Sequence, residues 1–308
     1  MVQRFSITLT QLSYFAECAK TLNMTEASQE LHIAQSAVST AINQLEKALG
    51  APLFVRQHSK GLVLTSAGES LLHETREIFG RITDAVDSIQ AGQREVRGTI
   101  VIACFQTIAP FLLPQLLQRL GERHPELTVE VVEGDHEESI DALRSGRVEL
   151  ALNYDLTESD GIRAEIVGEA RPHVIVGTDH RLARRKKISL SELADDAFVV
   201  LDLPDSREYF LNMLRLAGIT PQVRYRSSSY ETVRSMVAMG LGFSILNQRP
   251  RIRQTYTGER TTILEISDPV PTLHVAVSTL ARSGQTAKVA AVTEVVREIL
   301  AEVAPESG

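Results

Sequence analysis

Residues 35–46 carry two sets of side chains in opposite phase. Val38, Ala41, Ile42 and Leu45 fall at i, i+3, i+4 and i+7, and Ser36, Ser39, Thr40 and Asn43 repeat that spacing two residues earlier. Two residues are about 200° of helical rotation, so one set can dock in a core while the other faces away from it. The outward set is short hydroxyl and amide groups, which suit base edges and phosphates in a major groove. Upstream, Thr25 reads as the N-cap of a shorter helix reaching Leu31, with Ala27 and Leu31 as its packing residues. His32, Ile33 and Ala34 join the two into a helix-turn-helix pattern, a spacing that purely structural helical hairpins also use. Leu53-Phe54 and Leu62-Val63-Leu64 flank a polar, glycine-containing tip. A hairpin there would be a wing, and its cations Arg56, His58 and Lys60 could grip phosphates or enter a minor groove. Residues 1–66 hold five Lys+Arg against four Asp+Glu, so the layout rather than bulk charge marks the segment.

Three textures follow along the chain. The segment 67–92 reads as one long helix, opened by a Ser66/Glu69 capping box. Its apolar stripe runs Leu71, Ile78, Ala85 and, offset by four, Thr75, Ile82, Ile89. Such a stripe needs a partner, and a second copy of the same helix is the cheapest one. Leu71, Ile78, Ile82 and Ile89 are therefore the expected dimer contacts. From residue 97 onward strand-like and helix-like runs alternate. Strands are expected at 99–103, 127–133 and 148–153, near Val174, Phe198 and Val223, at 243–246, and near Thr262 and Leu273. Helices are expected over 108–120, 140–145, 206–217, 230–239 and 289–299. Parallel βαβ units give this pattern, and two α/β lobes with a cleft between them are the economical fold. Ligands of open α/β folds bind where strands end and helices begin. Thr107, Ser206 and Ser229 each read as the N-cap of such a helix, and converging helix starts favour an anionic guest. Phe105 and Phe243 would make the site partly apolar. The competing reading of each capping residue is a cap with no ligand.

Composition removes other classes. The 308 residues are 43% apolar and 23% charged, the balance of an ordinary folded protein. Length predicts about two folding units with a small extra module. Aromatics are 5% with no Trp, which argues against stacking on single strands. The net charge of −7 excludes a chain that is basic all over. Cys18 and Cys104 are too few for a disulfide framework or a four-ligand zinc site, and a dithiol switch between them is not expected. No apolar run reaches the ~18 residues of a spanning helix, and the start lacks a long apolar signal region, so the expected location is cytoplasmic. Dinucleotide, P-loop, zincin and nucleophile-elbow motifs are absent, so no enzyme and no cofactor is expected. A transporter's solute-binding protein would explain the cleft but has no use for residues 1–66.

The block Leu12 to Phe15, Thr25-Glu26-Ala27-Ser28, Ala34-Gln35-Ser36-Ala37-Val38-Ser39, Ile42, Leu45-Glu46, Leu49-Gly50, Leu53-Phe54-Val55-Arg56 and Leu64-Thr65-Ser66-Ala67-Gly68 resembles the winged helix-turn-helix of LysR-type transcriptional regulators. Pro114, His124-Pro125, Glu133-Gly134-Asp135 and Gly240-Leu241-Gly242-Phe243 stand at family-like places further on. The resemblance implies a winged helix-turn-helix at 1–66, a linker and dimerisation helix at 67–92, and a periplasmic-binding-protein-like effector domain at 93–308. Its first lobe would be about 97–168 with 270–304, and its second about 169–269. The resemblance also implies a dimer or tetramer, a small-molecule effector, and contact with promoter DNA and RNA polymerase, with no membrane. Carried onto this chain, Gln35, Ser36, Ser39 and Thr40 would meet the groove, Arg56 the backbone beside the wing, and Thr65 a phosphate; Thr25 and Asn43 are further expected DNA contacts. Thr107, His136, Tyr154 and the Pro204-Asp205 turn would surround the cleft. Ser36 and Thr40 stand where many members carry Pro and Arg, and Tyr154 where some carry an Arg for a carboxylate.

Overall fold

The computed structural model describes residues 7–57, 61–90, 96–157, 159–204, 206–281 and 286–303. Two compact units divide the chain, residues 1–94 with 144–147, and residues 95–143 with 148–308.

The first unit opens with α1 (Leu9–Thr21), α2 (Met24–Glu30) and α3 (Gln35–Leu49). A reciprocal Thr8/Gln11 pair caps α1, each side chain taking the other's backbone N–H. The cap of α2 is Asn23, whose Oδ1 accepts from the N–H of Thr25 and Glu26; Thr25 lies inside the first turn instead of capping it. Leu12, Phe15, Cys18, Val38, Ile42 and Leu45 converge with Leu53, Phe54 and Leu62 in one buried core. The last three belong to an antiparallel hairpin and its base, β1 (Phe54–Gln57) and β2 (Gly61–Leu64), paired from Phe54↔Leu64 to Gln57↔Gly61. The Glu46 carboxylate accepts the N–H groups of Leu53 and Phe54 at 2.7 and 3.3 Å, which ties the hairpin base to α3.

The long helix α4 (Ser66–Gln90) is capped by Thr65, not by a Ser66/Glu69 box. The Thr65 hydroxyl accepts from the Gly68 N–H at 3.0 Å and donates to the Pro52 carbonyl at 2.6 Å. Leu71, Leu72 and Phe79 are half-buried and pack against the core of this same unit. Ile78, Ile82 and Val86 are exposed. Ile89 lies in α4, but its side chain is outside the described residues.

The second unit carries two lobes. In the first, β3 (Gly98–Phe105), α5 (Ala109–Arg123), β4 (Leu127–Gly134), α6 (His136–Arg144), β5 (Leu150–Tyr154) and β6 (Ile162–Ala170) follow in order. Strands β4 and β5 flank β3 in parallel register, as βαβ units demand. The chain then builds a second lobe from β7 (His173–Gly177), β8 (Lys187–Ile188), a 3₁₀ turn at Leu190–Leu193, β9 (Ala197–Leu201), α7 (Ser206–Leu216), β10 (Gln222–Ser227), α8 (Tyr230–Ala238), β11 (Ser244–Leu246) and β12 (Thr261–Ile266). It returns through β13 (Leu273–Leu280) and closes with α9 (Ala287–Val303). Strand β13 enters the first sheet antiparallel between β5 and β6, giving the order β4-β3-β5-β13-β6. The second lobe has the sheet β11-β7-β12-β8, and the parallel pair β9–β10 joins it through a Phe198↔Phe243 bridge. There Gly242 has φ +143, and a Cβ would stand 2.1 Å from the Ala197 carbonyl oxygen, so only glycine fits. Strand β6, an edge strand, is absent from the sequence-based expectation. Helix α5 begins after Ile108, with no side-chain cap, so Thr107 is not its cap. Buried Lys288 ties α9 to the first sheet, donating to the Thr99 carbonyl and to Glu149 at 2.9 and 3.1 Å.

Gly68 sits where α4 crosses the hairpin base. A Cβ there would lie 2.2 Å from the Leu53 carbonyl oxygen and 2.8 Å from Leu64 Cδ2, while one at Gly80 meets nothing within 4 Å. Gly68→Ala is expected to destabilise the first unit by about 1–3 kcal/mol in denaturant unfolding. Gly80→Ala, in the same helix, is expected to be neutral or stabilising by up to about 1 kcal/mol. Equal effects of the two would show that the close approach at Gly68 carries no strain.

Candidate functional site

The first unit presents the polar face read from the sequence. Gln35, Ser36, Thr40 and Asn43 are exposed on α3 and Ser39 is half-buried, while Val38, Ala41, Ile42 and Leu45 on the other side are buried. Thr40 spends its hydroxyl proton on the Ser36 carbonyl at 2.8 Å and keeps its lone pairs outward. Ala34 stands at the α3 N-cap and supplies no side-chain oxygen, so the first N–H groups of this helix remain uncapped. Thr25 is exposed in the first turn of α2. Thr65 is committed to Gly68 and Pro52, so its hydroxyl proton is not available to a phosphate without breaking the Pro52 bond. His58 and Lys60 lie outside the described residues, as does the side chain of Arg56, whose backbone is in β1.

The second unit holds a small cleft with about 10 Å³ of free volume, roughly one water molecule. Thr107 and Tyr154 line it from the first lobe. Leu201, Phe210 and Leu246 give its apolar wall in the second lobe, and Ser206, Tyr230, Asn247 and Gln248 its polar groups there. Tyr154 is the hub. Its hydroxyl oxygen accepts from Gln248 Nε2 at 2.9 Å and from the Thr107 hydroxyl at 3.4 Å. Tyr230 donates to the Gln248 carbonyl at 2.6 Å, so Gln248 is held by both its side chain and its backbone. Burial pushes the Tyr154 phenol up to about 12, so it stays protonated at neutral pH. A hydrogen bond from one lobe therefore meets an oxygen of the other across the cleft.

Three residues expected at the cleft line it: Thr107, Tyr154 and Ser206. Phe105 is fully buried behind Tyr154, with ring centroids 5.3 Å apart, and supports the hub without facing the cleft. Phe243 packs on Phe198 at 5.1 Å in the core of the second lobe. His136 is buried on α6, with Nε2 3.1 Å from the Thr157 hydroxyl, and is not part of the lining. Ser229 does cap α8, accepting from the Thr232 N–H, but it is exposed and outside the lining. Pro204 is exposed, and Asp205 lies outside the described residues. Arg207 and Arg226 stand outside the lining, Arg207 paired with Asp202 at 2.9 Å and Arg226 with the same carboxylate at 3.8 Å. Sequence reasoning missed Tyr230, Asn247 and Gln248 as lining residues. Tyr230 is the first residue of a helix whose start the sequence marks, so its position was the available signal; the two amides follow β11 with no motif around them.

Residues 9–69 match the bacterial regulatory helix-turn-helix protein family of lysR type, and residues 93–301 match the LysR substrate binding domain family. The chain is similar to the HTH-type transcriptional regulator CfxR of Cupriavidus necator, with 32% identity over 82% of this chain and 80% of that protein. It is similar to the HTH-type transcriptional regulator CysL of Bacillus subtilis, with 30% identity over 83% of this chain and 86% of that protein. Among solved structures, HinK, a LysR family transcriptional regulator from Pseudomonas aeruginosa, is 32% identical with a TM-score of 0.65, covering 96% of this chain and 99% of its own. A full-length OxyR variant from Pseudomonas aeruginosa shares the fold, with a TM-score of 0.78 at 23% identity over 94% of this chain and 98% of its own.

Among the described residues no group of three His, Cys, Asp or Glu could hold a metal ion, and no described helix is long and apolar enough to cross a membrane. Both thiols are buried, Cys18 in the first unit and Cys104 in the second. Burial, the larger cause, and the neighbouring Glu17 push Cys18 up to about 11, and burial with Glu133 raises Cys104 as well. Protonated, sheltered thiols are poor nucleophiles. Maleimide labelling of the native chain at neutral pH is expected to be negligible over minutes and to reach both thiols only in denaturant. Rapid native labelling of either one would reopen a redox role.

Proposed function

The chain belongs to the LysR family of transcriptional regulators, and we propose that it reads promoter DNA through the exposed face of α3 under the control of a small molecule bound at Tyr154. As a family member it pairs a helix-turn-helix DNA-binding domain with an effector-binding domain. The observation that carries the finer reading is the division of α3. Its apolar side is sealed in the core, while Gln35, Ser36, Thr40 and Asn43 are left to solvent. Burying those four side chains in a major groove gives them partners that water now supplies. Arg56, His58 and Lys60 on the wing would add phosphate contacts without sequence preference.

In this reading residues 1–66 read DNA, 67–92 link and dimerise, and 93–308 sense the effector. Its lobes would be about 97–168 with 270–304, and about 169–269. Ile78, Ile82 and Val86 form an exposed apolar row at four-residue spacing on α4, which supports a helix-to-helix dimer; a tetramer would need a second contact. The protein works in the cytoplasm, acts by binding rather than turnover, and meets RNA polymerase at the promoter. Closing or opening of the lobes by the effector would reposition the DNA-reading heads. The shift in DNA contacts is limited by how differently the effector binds the two arrangements.

Ser36→Ala with Asn43→Ala is expected to weaken binding to a promoter fragment by about 10–100-fold, at ~1–3 kcal/mol for lost base contacts, and to leave random duplex binding unchanged. Fluorescence anisotropy at fixed salt measures both. Normal promoter preference in the double variant would reject the face assignment. Ile82→Asp is expected to shift the population toward monomer in sedimentation velocity, because the dimer would bury a carboxylate. An unaltered distribution would remove α4 as the seam.

A further inference from the structure

Two polar groups in the cleft are poorly satisfied. Tyr154 is 3% exposed; its oxygen accepts from Gln248 at 2.9 Å, and the one hydroxyl near enough to share its proton, Thr107, stands at a long 3.4 Å. The Asn247 Oδ1 atom is buried in the same lining and receives no donor. The first is a donor held only at the limit of hydrogen bonding, and the second is an acceptor with no donor. Buried groups of this kind are costly unless a guest or a water satisfies them. The free space, about 10 Å³, holds one water at most. A larger guest needs more room, which parting of the Tyr154–Gln248 hydrogen bond between the lobes would give. The rest of the wall is set by Leu201, Phe210 and Leu246, which suit an apolar body.

We propose that the effector is a small uncharged carboxamide: an apolar body carrying a C=O that accepts from Tyr154 and an N–H that donates to Asn247. The proposal rests on the reading of this cleft as the effector site and names the ligand class for it. A carboxylate satisfies Tyr154 equally well, but it sets a second pair of negative lone pairs against Asn247 Oδ1, with desolvation of its charge added. A plain ketone satisfies Tyr154 and leaves Asn247 unpaired. A site built to hydrogen-bond a guest discriminates most sharply against analogues that leave its own buried groups unpaired.

The test uses the full chain and matched pairs: benzamide with benzoate, nicotinamide with nicotinate, and 2-methylpropanamide with 2-methylpropanoate, with acetophenone as the ketone. Thermal-shift titration finds binders and calorimetry gives their affinities. The expected result is that at least one amide raises the midpoint in a saturable way and binds about tenfold or more tightly than its acid. Tyr154→Phe and Asn247→Leu are each expected to weaken that amide about tenfold. Asn247→Asp, which keeps the acceptor oxygen, retains more of the binding than Asn247→Leu, and circular dichroism checks that each variant is folded. An acid that binds as tightly as its amide would mean that Asn247 turns its NH2 inward, and it overturns the proposal. So does a panel in which no amide binds, or an amide indifferent to both side chains. Promoter binding by the wild-type chain, measured alongside, separates the two failures. A chain with normal promoter preference but no amide binding has lost only the ligand class, whereas one with no preference for promoter over random duplex has lost the regulator reading itself.

Discussion

Strand β13 arrives late in the chain and must be threaded between β5 and β6, strands made more than a hundred residues earlier. That single constraint shapes the receptor. The first sheet cannot be completed unless the chain leaves it after β6, builds a separate sheet, and comes back. Leaving and returning requires two crossings, and a body joined by two neighbouring crossings can swing about them. The cleft is what lies between the lobes so formed. Its hub, Tyr154, is the last residue of β5, and the residue opposite it in register is Val275 of the returning strand. The same pairing that seals the first core thus fixes the cleft's most buried hydroxyl.

The first unit solves a different problem with shorter means. Its core is small, and a small core must be tied at its edges. Glu46 supplies one tie, from the end of α3 to the hairpin base, and Thr65 supplies another, from the hairpin to α4. Both are polar side chains satisfying backbone groups that would otherwise be unpaired. Because α3 is clamped at its C-terminal end and by its apolar stripe, its outward side chains stand on a fixed platform. Groups held in this way lose less entropy when they meet a partner.

Much of this was legible in the amino-acid order, and the illegible parts have physical reasons. The phase shift within residues 35–46 defines the two faces of α3 because a soluble helix with one buried side leaves little freedom in its pattern. Alternation of strand and helix marks two α/β lobes. The caps are less legible. Asn23 and Thr65 cap where Thr25 and Ser66 were expected, since adjacent hydroxyl and amide residues satisfy the same rule and only backbone geometry decides between them. Strand β6 carries charged residues on its exposed face at the sheet edge and so lacks the continuous apolar run that marks its buried neighbours. At the cleft, Thr107 and Ser206 are legible as strand-to-helix turns, and Tyr154 through the family resemblance. Phe243 is misplaced by the same logic because an apolar residue near a strand end serves a core as readily as a pocket. Gln248 and Asn247 carry no signal, since an isolated amide in a loop is indistinguishable from a solvated one until its neighbours are known.

The bond between Tyr154 and Gln248 also sets a level. If a guest enters as proposed, this contact between the lobes must open first, so the closed state competes with the bound one. Apparent affinity is the intrinsic affinity multiplied by the fraction of molecules in which the self-contact is open. If the contact is worth about 1 kcal/mol, that fraction is roughly one in six. In the proposed regulator, Gln248 would then raise the effector concentration needed by about sixfold. Exchanging this one side chain offers evolution a way to retune the concentration at which the switch trips, leaving both the ligand's binding groups and the DNA-reading surface untouched.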